Sequence, residues 1–418
     1  MRSRSFGPDA TAADIRGLTP DPRSVEAGVR EILAEVGARG DAAVAELTQR
    51  IDGVRIDPSR LRVEPATLEA AGASLEPQVA DGLRAAIANV RAVAEAQLRG
   101  QVAVELADGQ VVDVEELPVR RAGIYAPAGR AAYPSSVVMA AATARAAGVE
   151  QVAVCAGPGP DGEIHTAILA ACALCGVDEV YRVGGAQAIG ALAYGTETVA
   201  AVDVIAGPGG PWVQEAKRQL VGTVGIDGIA GPSELVVVAD GDADPEPLAL
   251  DLLAQAEHGP DSLVVAIAPA AELLEAIGAA VERLVPDRPS VQDTTLALVR
   301  SATAAAAVEL ADAIAPEHLQ LVGPEPEALA GRVRAAGCVF VGEAAATAFG
   351  DYVAGSNHIL PTGGAARFQS AVSPATFRRR MARVSFPGDA AARLAARGAA
   401  VARAEGFPVH AESMERRA

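Results

Sequence analysis

Between residues 122 and 221 the chain repeats one unit four times: a short apolar run, a glycine- or proline-containing turn, then a helical segment. The runs are 122–126 (AGIYA), 152–155 (VAVC), 180–183 and 202–205; the helical segments are 135–147, 165–175, 186–194 and 212–221. Short runs that are apolar throughout suit parallel strands buried on both faces. The helix between two such runs is the crossover, which is right-handed in nearly all cases. This repetition constrains the fold more than any other feature, because it calls for a parallel sheet with helices packed on it.

A second region of the same kind follows. Strand-like runs at 235–239, 263–267, 319–322 and 339–341 alternate with helical segments at 245–258, 270–285 and near 304–314. Ahead of both regions, residues 24–36 carry a stripe of Val25, Val29, Ile32, Leu33 and Val36, and Asp41 can cap a helix bearing Val44, Leu47 and Ile51. A third helical stretch covers 65–99, and two alternating runs around Asp108-Gly109 predict a hairpin. From about residue 370 the chain reads as helical, at 377–384 and 390–406. Chain order suggests residues 1–22 as an arm, 23–121 joined with 231–369 as one α/β domain, and 122–230 inserted as the other. Residues 370–418 form a tail that must dock elsewhere, on another subunit for instance.

Composition excludes several classes. A chain of 418 residues needs more than one core. A net charge of -18 opposes nucleic-acid and anionic-membrane binding. The first residues lack the apolar stretch of a secretion signal, and no run of strongly apolar residues is long enough to span a membrane, so a cytoplasmic protein is expected. Four cysteines are too few for a disulfide scaffold; Cys172 and Cys175 match C-x-x-C but sit in the apolar run AILAACALCGV, which favours buried thiols. Lys217 is the sole lysine, hence the sole candidate for a Schiff base. It lies in the amphipathic stretch WVQEAKRQL, where a solvated helix face is the expected environment.

Glycine turns follow several of the strands. Gly157-Pro-Gly-Pro-Asp-Gly162 fits G-x-G-x-x-G, but its prolines remove N–H groups that would face a pyrophosphate, which favours a plain loop. Gly184-Gly185-Ala186-Gln187 and Gly207-Pro208-Gly209-Gly210 occupy the carboxyl ends of strands, where nucleotides bind in open α/β sheets. Of five histidines, His165 starts a helix and reads as ordinary. The other four, His258, His318, His358 and His410, come after residue 250 with polar or glycine neighbours. Gln255 and His258 are three apart in the last turn of a helix and share a face. With Asp351 and His410 they offer N and O donors of the kind zinc accepts, although the spacings alone do not show convergence. Glu317-His318 supplies a carboxylate beside an imidazole, the pair most used for proton transfer. Glu257, between Gln255 and His258, falls on another face and is expected to be structural at most.

At this point the chain resembles the histidinol dehydrogenase family. The resemblance rests on GIYAPAGRAAYPSSVVM (123–139), VGGAQAIGALAYGTETV (183–199), GPG then EAKR (207–218), and AGPSE (230–234). It continues through DLLAQAEHGPDS (251–262), PEHLQL (316–321), GDYVAGSNHILPTGG (350–364) and EGFPVHAES (405–413), in the same order over nearly the whole chain. It implies two incomplete Rossmann-like parallel-sheet domains in an aldehyde-dehydrogenase-like architecture, with an N-terminal arm and a helical C-terminal tail. It also implies a homodimer with shared active sites and one zinc per subunit. The reaction implied is NAD-dependent oxidation of L-histidinol to L-histidine, the last step of histidine biosynthesis, in two steps through an aldehyde that is not released. On this resemblance zinc falls on Gln255, His258, Asp351 and His410, the last from the partner subunit, and acid/base work on Glu317 and His318. Substrate contacts fall on Ser233, Gln255, His258, His318, Asp351, Glu405 and His410, and NAD contacts on Tyr125 and Gln187. The family usually carries Asn after GPG as part of the NAD site; here that position is Gly210, which puts cofactor affinity in question. A zinc hydrolase using the same ligands and a non-catalytic nucleotide- or metal-binding protein are the readings from other classes.

Overall fold

The computed structural model describes residues 1–19, 25–128, 131–291 and 293–418. The expected helix start at Ser24, and Gly129-Arg130 of the 123–139 stretch, lie outside the described residues. Among the described residues the strands in chain order are β1 (Arg2–Phe6), β2 (Val102–Glu105), β3 (Val111–Pro118), β4 (Arg121–Ala126), β5 (Gln151–Ala156), β6 (Glu179–Arg182) and β7 (Val204–Ala206). They continue as β8 (Gly225–Ile226), β9 (Glu234–Ala239), β10 (Leu263–Ala268), β11 (Thr295–Arg300), β12 (His318–Val322), β13 (Cys338–Val341) and β14 (Arg378–Ser385).

They form three sheets. One is five-stranded and parallel in the order β6-β5-β4-β7-β8. A second is six-stranded and parallel in the order β1-β11-β10-β9-β12-β13. The third is the antiparallel β14-β3-β2. In each parallel sheet the first strand after the connection (β4, β9) is central and the order reverses beside it, the doubly wound arrangement expected. The inner strands β4, β9 and β10 are buried along their whole length, as the continuous apolar runs require.

The packing of the first hundred residues differs from the grouping that chain order suggested. Val29, Ile32, Leu33, Val36, Val44 and Leu47 share a core with Ile189, Leu192 and Ile205, on one side of the five-stranded sheet. Leu83 and Val90 share another with Ile124, Val154 and Ile168. Residues 26–96 therefore belong with residues 122–226 rather than with 231–369. The reason is visible in the inner helices: 135–144 of Pro134–Ala146 and 186–193 of Gly185–Tyr194 are buried on every side. A helix without a solvated face needs a second layer of helices over it, and the N-terminal helices provide it. Conversely, the arm is an integral edge of the six-stranded sheet, β1 running parallel to β11.

Two smaller differences are instructive. The 65–99 stretch is two helices, Pro65–Ser74 and Pro77–Ala96, because Pro77 disfavours helical backbone at the residue before it. The 377–384 segment is extended from Arg378 onward, Phe377 only closing the short Pro374–Phe377 3-10 turn. It pairs with β3 as strand β14, and Arg380 and Arg383 meet Glu116 and Glu115 across the ladder. Eight residues are too few for periodicity to separate helix from strand, and the acidic neighbour strand decides it. The tail then forms the Ala390–Ala404 and Pro408–Glu415 helices, which pack on each other through Ala399, Ala402, Ala411 and Met414. No described helix is long and apolar enough to cross a membrane.

If the 26–96 helices complete the core of the five-stranded sheet, Leu47→Ala, at a fully buried position, destabilises by about 2–5 kcal/mol. Ile51→Ala, half exposed in the same helix, changes stability by no more than about 0.5 kcal/mol. Urea unfolding of the two variants checks this; equal midpoints would contradict the packing.

Candidate active site

A cleft of about 280 Å³ lies between the two parallel sheets. From the five-stranded side it is lined by residues that follow strands: Pro127 after β4 and Gly207, Pro208 and Gly209 after β7. From the six-stranded side it is lined by residues that precede strands, Ser233 before β9 and Glu317 before β12. His258 and Asp351 complete that wall.

Each of these is placed by a local rule. Asp244 caps the Pro245–Ala256 helix, whose first position is proline. The helix returns antiparallel to β9 and ends at the cleft with Gln255 and His258. His258 Nε2 stands 3.9 Å from Asp351 Oδ2. Glu257 points away and accepts from Ser290. Asp351 belongs to the short Thr347–Tyr352 helix. His358 donates from Nδ1 to the Asp351 carbonyl at 2.8 Å, since a carbonyl can only accept, and its Nε2 is 3.4 Å from Ser136 Oγ. Burial holds His358 below the usual imidazole range.

Glu317 and His318 enter β12 side by side. The Glu317 carboxylate accepts from Ser233 Oγ at 2.5 Å and from the Glu234 backbone N–H at 2.8 Å. Burial pushes its pKa up to about 8 against these hydrogen bonds. His318 lies just behind the cleft wall, its Nδ1 donating to the Glu234 carbonyl at 3.1 Å. In the neutral ring that leaves Nε2 as acceptor, 4.0 Å from Asp351 Oδ1. Burial depresses the His318 pKa, which keeps the ring neutral and able to take a proton.

For a metal, two donors each about 2.1 Å from one zinc ion are at most about 4.2 Å apart. The His258–Asp351 separation of 3.9 Å fits within that limit. Gln255 sits one turn earlier, buried, with an amide nitrogen that has no hydrogen-bond partner. These three side chains fit part of a zinc site in kind. Among the described residues, His, Cys, Asp and Glu alone do not assemble a three-donor metal group. His410 and Glu405 lie on the exposed tail and do not line this cleft. The His410 ring lies against Phe407 with centroids 5.3 Å apart and planes tilted by 53°.

On the other wall, Tyr125 is buried and its hydroxyl accepts from Gly185 N at 3.1 Å. Gln187 is buried and donates to Asp52 at 3.2 Å. Both flank the Gly184–Gly185 turn rather than the cleft. Gly210 caps the Pro211–Gln219 helix, and a Cβ added there would meet nothing within 4 Å, so the position is open space. Gly207 is the opposite case: at φ +132° an added Cβ would lie 2.1 Å from the Tyr125 carbonyl oxygen, which only glycine avoids. His165 is a helix cap, as expected.

Three features escaped the sequence reading. Lys217 is not on a solvated face: its side chain is 1% exposed. Its ammonium donates to the Gly207 carbonyl at 2.6 Å and pairs with Asp227, whose other oxygen accepts from Gly207 N at 2.8 Å. The helix does have a polar face, but that face turns inward onto the glycine turn. Glu234, inside the AGPSE stretch, holds both Glu317 and His318 by hydrogen bonds from beneath. A carboxylate heading the otherwise apolar strand ELVVVA was the available signal. The Ser136–His358 contact joins the two walls, and no spacing in the sequence pointed to it.

Fold and cleft together define the class, an α/β protein whose two parallel sheets wall one cleft. The chain belongs to the histidinol dehydrogenase family, whose model, "Histidinol dehydrogenase", matches residues 18–418. A histidinol dehydrogenase of Synechococcus sp. is 45% identical over 398 residues, covering 94% of this chain and 92% of the relative. That of Pseudomonas syringae pv. tomato is 42% identical over 401 residues, 94% of this chain and 89% of the relative. The crystal structure of histidinol dehydrogenase from Elizabethkingia anophelis superposes with a TM-score of 0.91 at 29% identity, covering 100% of this chain and 98% of that one.

Lys217→Met leaves the buried Asp227 carboxylate without its counter-charge, which costs about 3–5 kcal/mol. Chemical denaturation checks this; an unchanged midpoint would mean that the pair does not hold the turn.

Proposed function

We propose that this protein is a zinc-containing, NAD-dependent enzyme that oxidises L-histidinol to L-histidine through a bound aldehyde, as a cytoplasmic homodimer with shared sites. The observation that carries the proposal is the Ser233–Glu234–Glu317–His318 cluster, which opens on the cleft beside His258 and Asp351. Family membership supplies the substrate. Gln255, His258 and Asp351 of one chain, with His410 of another copy, would hold the zinc, which when bound orients the substrate through its imidazole and amine. The Gly207–Gly210 turn, with Tyr125 and Gln187 behind it, would hold NAD, which when bound would accept hydride in both oxidations.

The residues divide the proton work. In the first oxidation His318 Nε2 takes the hydroxyl proton while hydride leaves the carbinol carbon. Glu317 then takes a proton from the water that attacks the aldehyde carbon. Its raised pKa makes it a stronger base than an exposed carboxylate. In the second oxidation His318 takes the proton of the hydrate hydroxyl while the second hydride leaves, which yields the carboxylate. Two protons go to His318 and one to Glu317 over the cycle: His318 must release its first proton to solvent before the second oxidation, and the other two leave before the next turnover. Among the described residues that line the cleft none is a cysteine, so a thiohemiacetal route has no nucleophile among them. Glu405 of another copy is the candidate partner for the substrate ammonium.

Protein supplied with zinc, NAD and histidinol should form two reduced nicotinamides per histidine; absence of reduction removes the proposal. Glu317→Gln should keep zinc and still oxidise the alcohol, with aldehyde oxidation reduced about 10²–10⁴-fold. Stopped single-turnover measurement of each step checks this, and undiminished aldehyde oxidation would take Glu317 out of the mechanism. His410→Asn should lower zinc content, and mixing it with Glu317→Gln should restore part of the activity if the copies exchange and share sites. Mixed dimers as inactive as either parent would count against sharing.

A further inference from the structure

The N-terminal arm delivers one side chain to the underside of the acid/base pair. Thr11 and Asp14 form a reciprocal cap on the Ala12–Arg16 helix, and Ile15 is fully buried in the core of the six-stranded sheet. This fixes Arg16, whose guanidinium reaches three places at once. It ion-pairs with the Glu234 carboxylate, which is 1% exposed. It donates to the Ile314 carbonyl from Nε at 3.0 Å, and to the Ala315 carbonyl from a terminal nitrogen at 3.0 Å. Ala315 is the one non-glycine residue with positive φ among the described residues, at 52°. It stands two positions before Glu317. L-residues avoid that conformation unless their surroundings impose it.

Glu234 carries the connection to the cleft. Its carboxylate accepts from the Glu317 backbone N–H at 3.2 Å and from Gly363 N at 2.9 Å. Its backbone N–H holds the Glu317 carboxylate, and its carbonyl fixes the His318 ring through Nδ1. One residue thus orients both members of the pair, and its own charge is compensated from the arm. The family model begins at residue 18, so Arg16 lies before the matched residues.

We infer that Arg16 and Glu234 are positioning residues for the reaction: the arm is a strut that holds the Ala315–His318 turn, and through it the Glu317 carboxylate and the His318 Nε2, in working geometry. Neither side chain is placed against substrate. Their effect should therefore fall on turnover rather than on binding. Displacing a catalytic group by about an ångström costs on the order of a hundredfold in rate. The inference rests on the dehydrogenase reading above.

The test compares Arg16→Met, Arg16→Lys and Glu234→Gln with the unaltered full-length protein loaded with zinc. It measures kcat and KM for histidinol and for NAD, zinc content, and thermal unfolding. The expected result is a fall in kcat of about a hundredfold for Arg16→Met and Glu234→Gln, with both KM values within about twofold and zinc retained. Arg16→Lys keeps the charge but not the three-way fork, so its kcat should lie between, and it serves where Arg16→Met fails to fold. A folded variant with kcat within about twofold of the unaltered protein would overturn the inference. So would a loss of kcat that tracks loss of zinc or a rise in either KM. Inactivity of the unaltered protein on histidinol would instead overturn the proposed function, which separates the two failures.

Discussion

The architecture turns on how the two parallel sheets face each other. The five-stranded sheet presents its carboxyl edge to the cleft, and the six-stranded sheet presents its amino edge. The two walls therefore have opposite electrical character. On the first wall the Pro211–Gln219 helix begins at the glycine turn after β7, so its free N–H groups and the positive end of its dipole lie at that edge. On the second wall the Pro245–Ala256 helix ends beside the cleft, so carbonyls and the negative end of a dipole lie there. An anionic dinucleotide suits the first wall and a cation suits the second. Gln255 and His258 at a helix end, and Gly207 at a helix start, follow from this one arrangement.

The same arrangement explains the buried charges. Lys217 and Asp227 are a buried ion pair, and such a pair does not stabilise a fold merely by existing. This one spans the glycine turn, since Lys217 holds the Gly207 carbonyl and Asp227 the Gly207 N–H. Gly207 itself admits no side chain. Glu234 plays the corresponding part on the other wall, where its ion pair with Arg16 lies beneath the Ala315–His318 turn. In both walls charge is spent on backbone geometry rather than exposed to the cleft.

Much of the fold was legible in the sequence because repeated short apolar runs admit few topologies. The hairpin at Asp108-Gly109, the two parallel-sheet regions and the Ala390–Ala404 helix follow from period and turn chemistry alone, whereas the Pro408–Glu415 helix lies in what read as a charged tail. What was not legible depended on partners distant in the chain. Residues 26–96 carry ordinary amphipathic stripes, and nothing in a stripe says which sheet it covers. Only the absence of a polar face in SSVVMAAATARA hinted that the inserted region needed a second layer. Strand β14 was misread because RRRMARVS has no decisive period, and its conformation comes from the acidic strand beside it. Lys217 was misread because an amphipathic helix shows two faces but not which one is buried.

For the site, the sequence supplied residue types, and the structure brings Ser233, His258, Glu317 and Asp351 to one cleft, with His318 just behind its wall. It leaves His410 and Glu405 apart, on the helical tail. That separation has a physical context. The tail helices share a core of three small alanines and Met414, and Arg393 and Arg397 tie them to Asp108 in the hairpin turn. Val401, Phe407 and Val409 remain more than half exposed on the same two helices. An apolar surface on so small a core gains stability from burial against another molecule. Phe407 is three residues from His410 and its ring lies against the imidazole, with centroids 5.3 Å apart. Under the proposed function Gln255, His258 and Asp351 would lack one donor within the chain, and His410, beside an exposed phenylalanine, would supply it from a second copy.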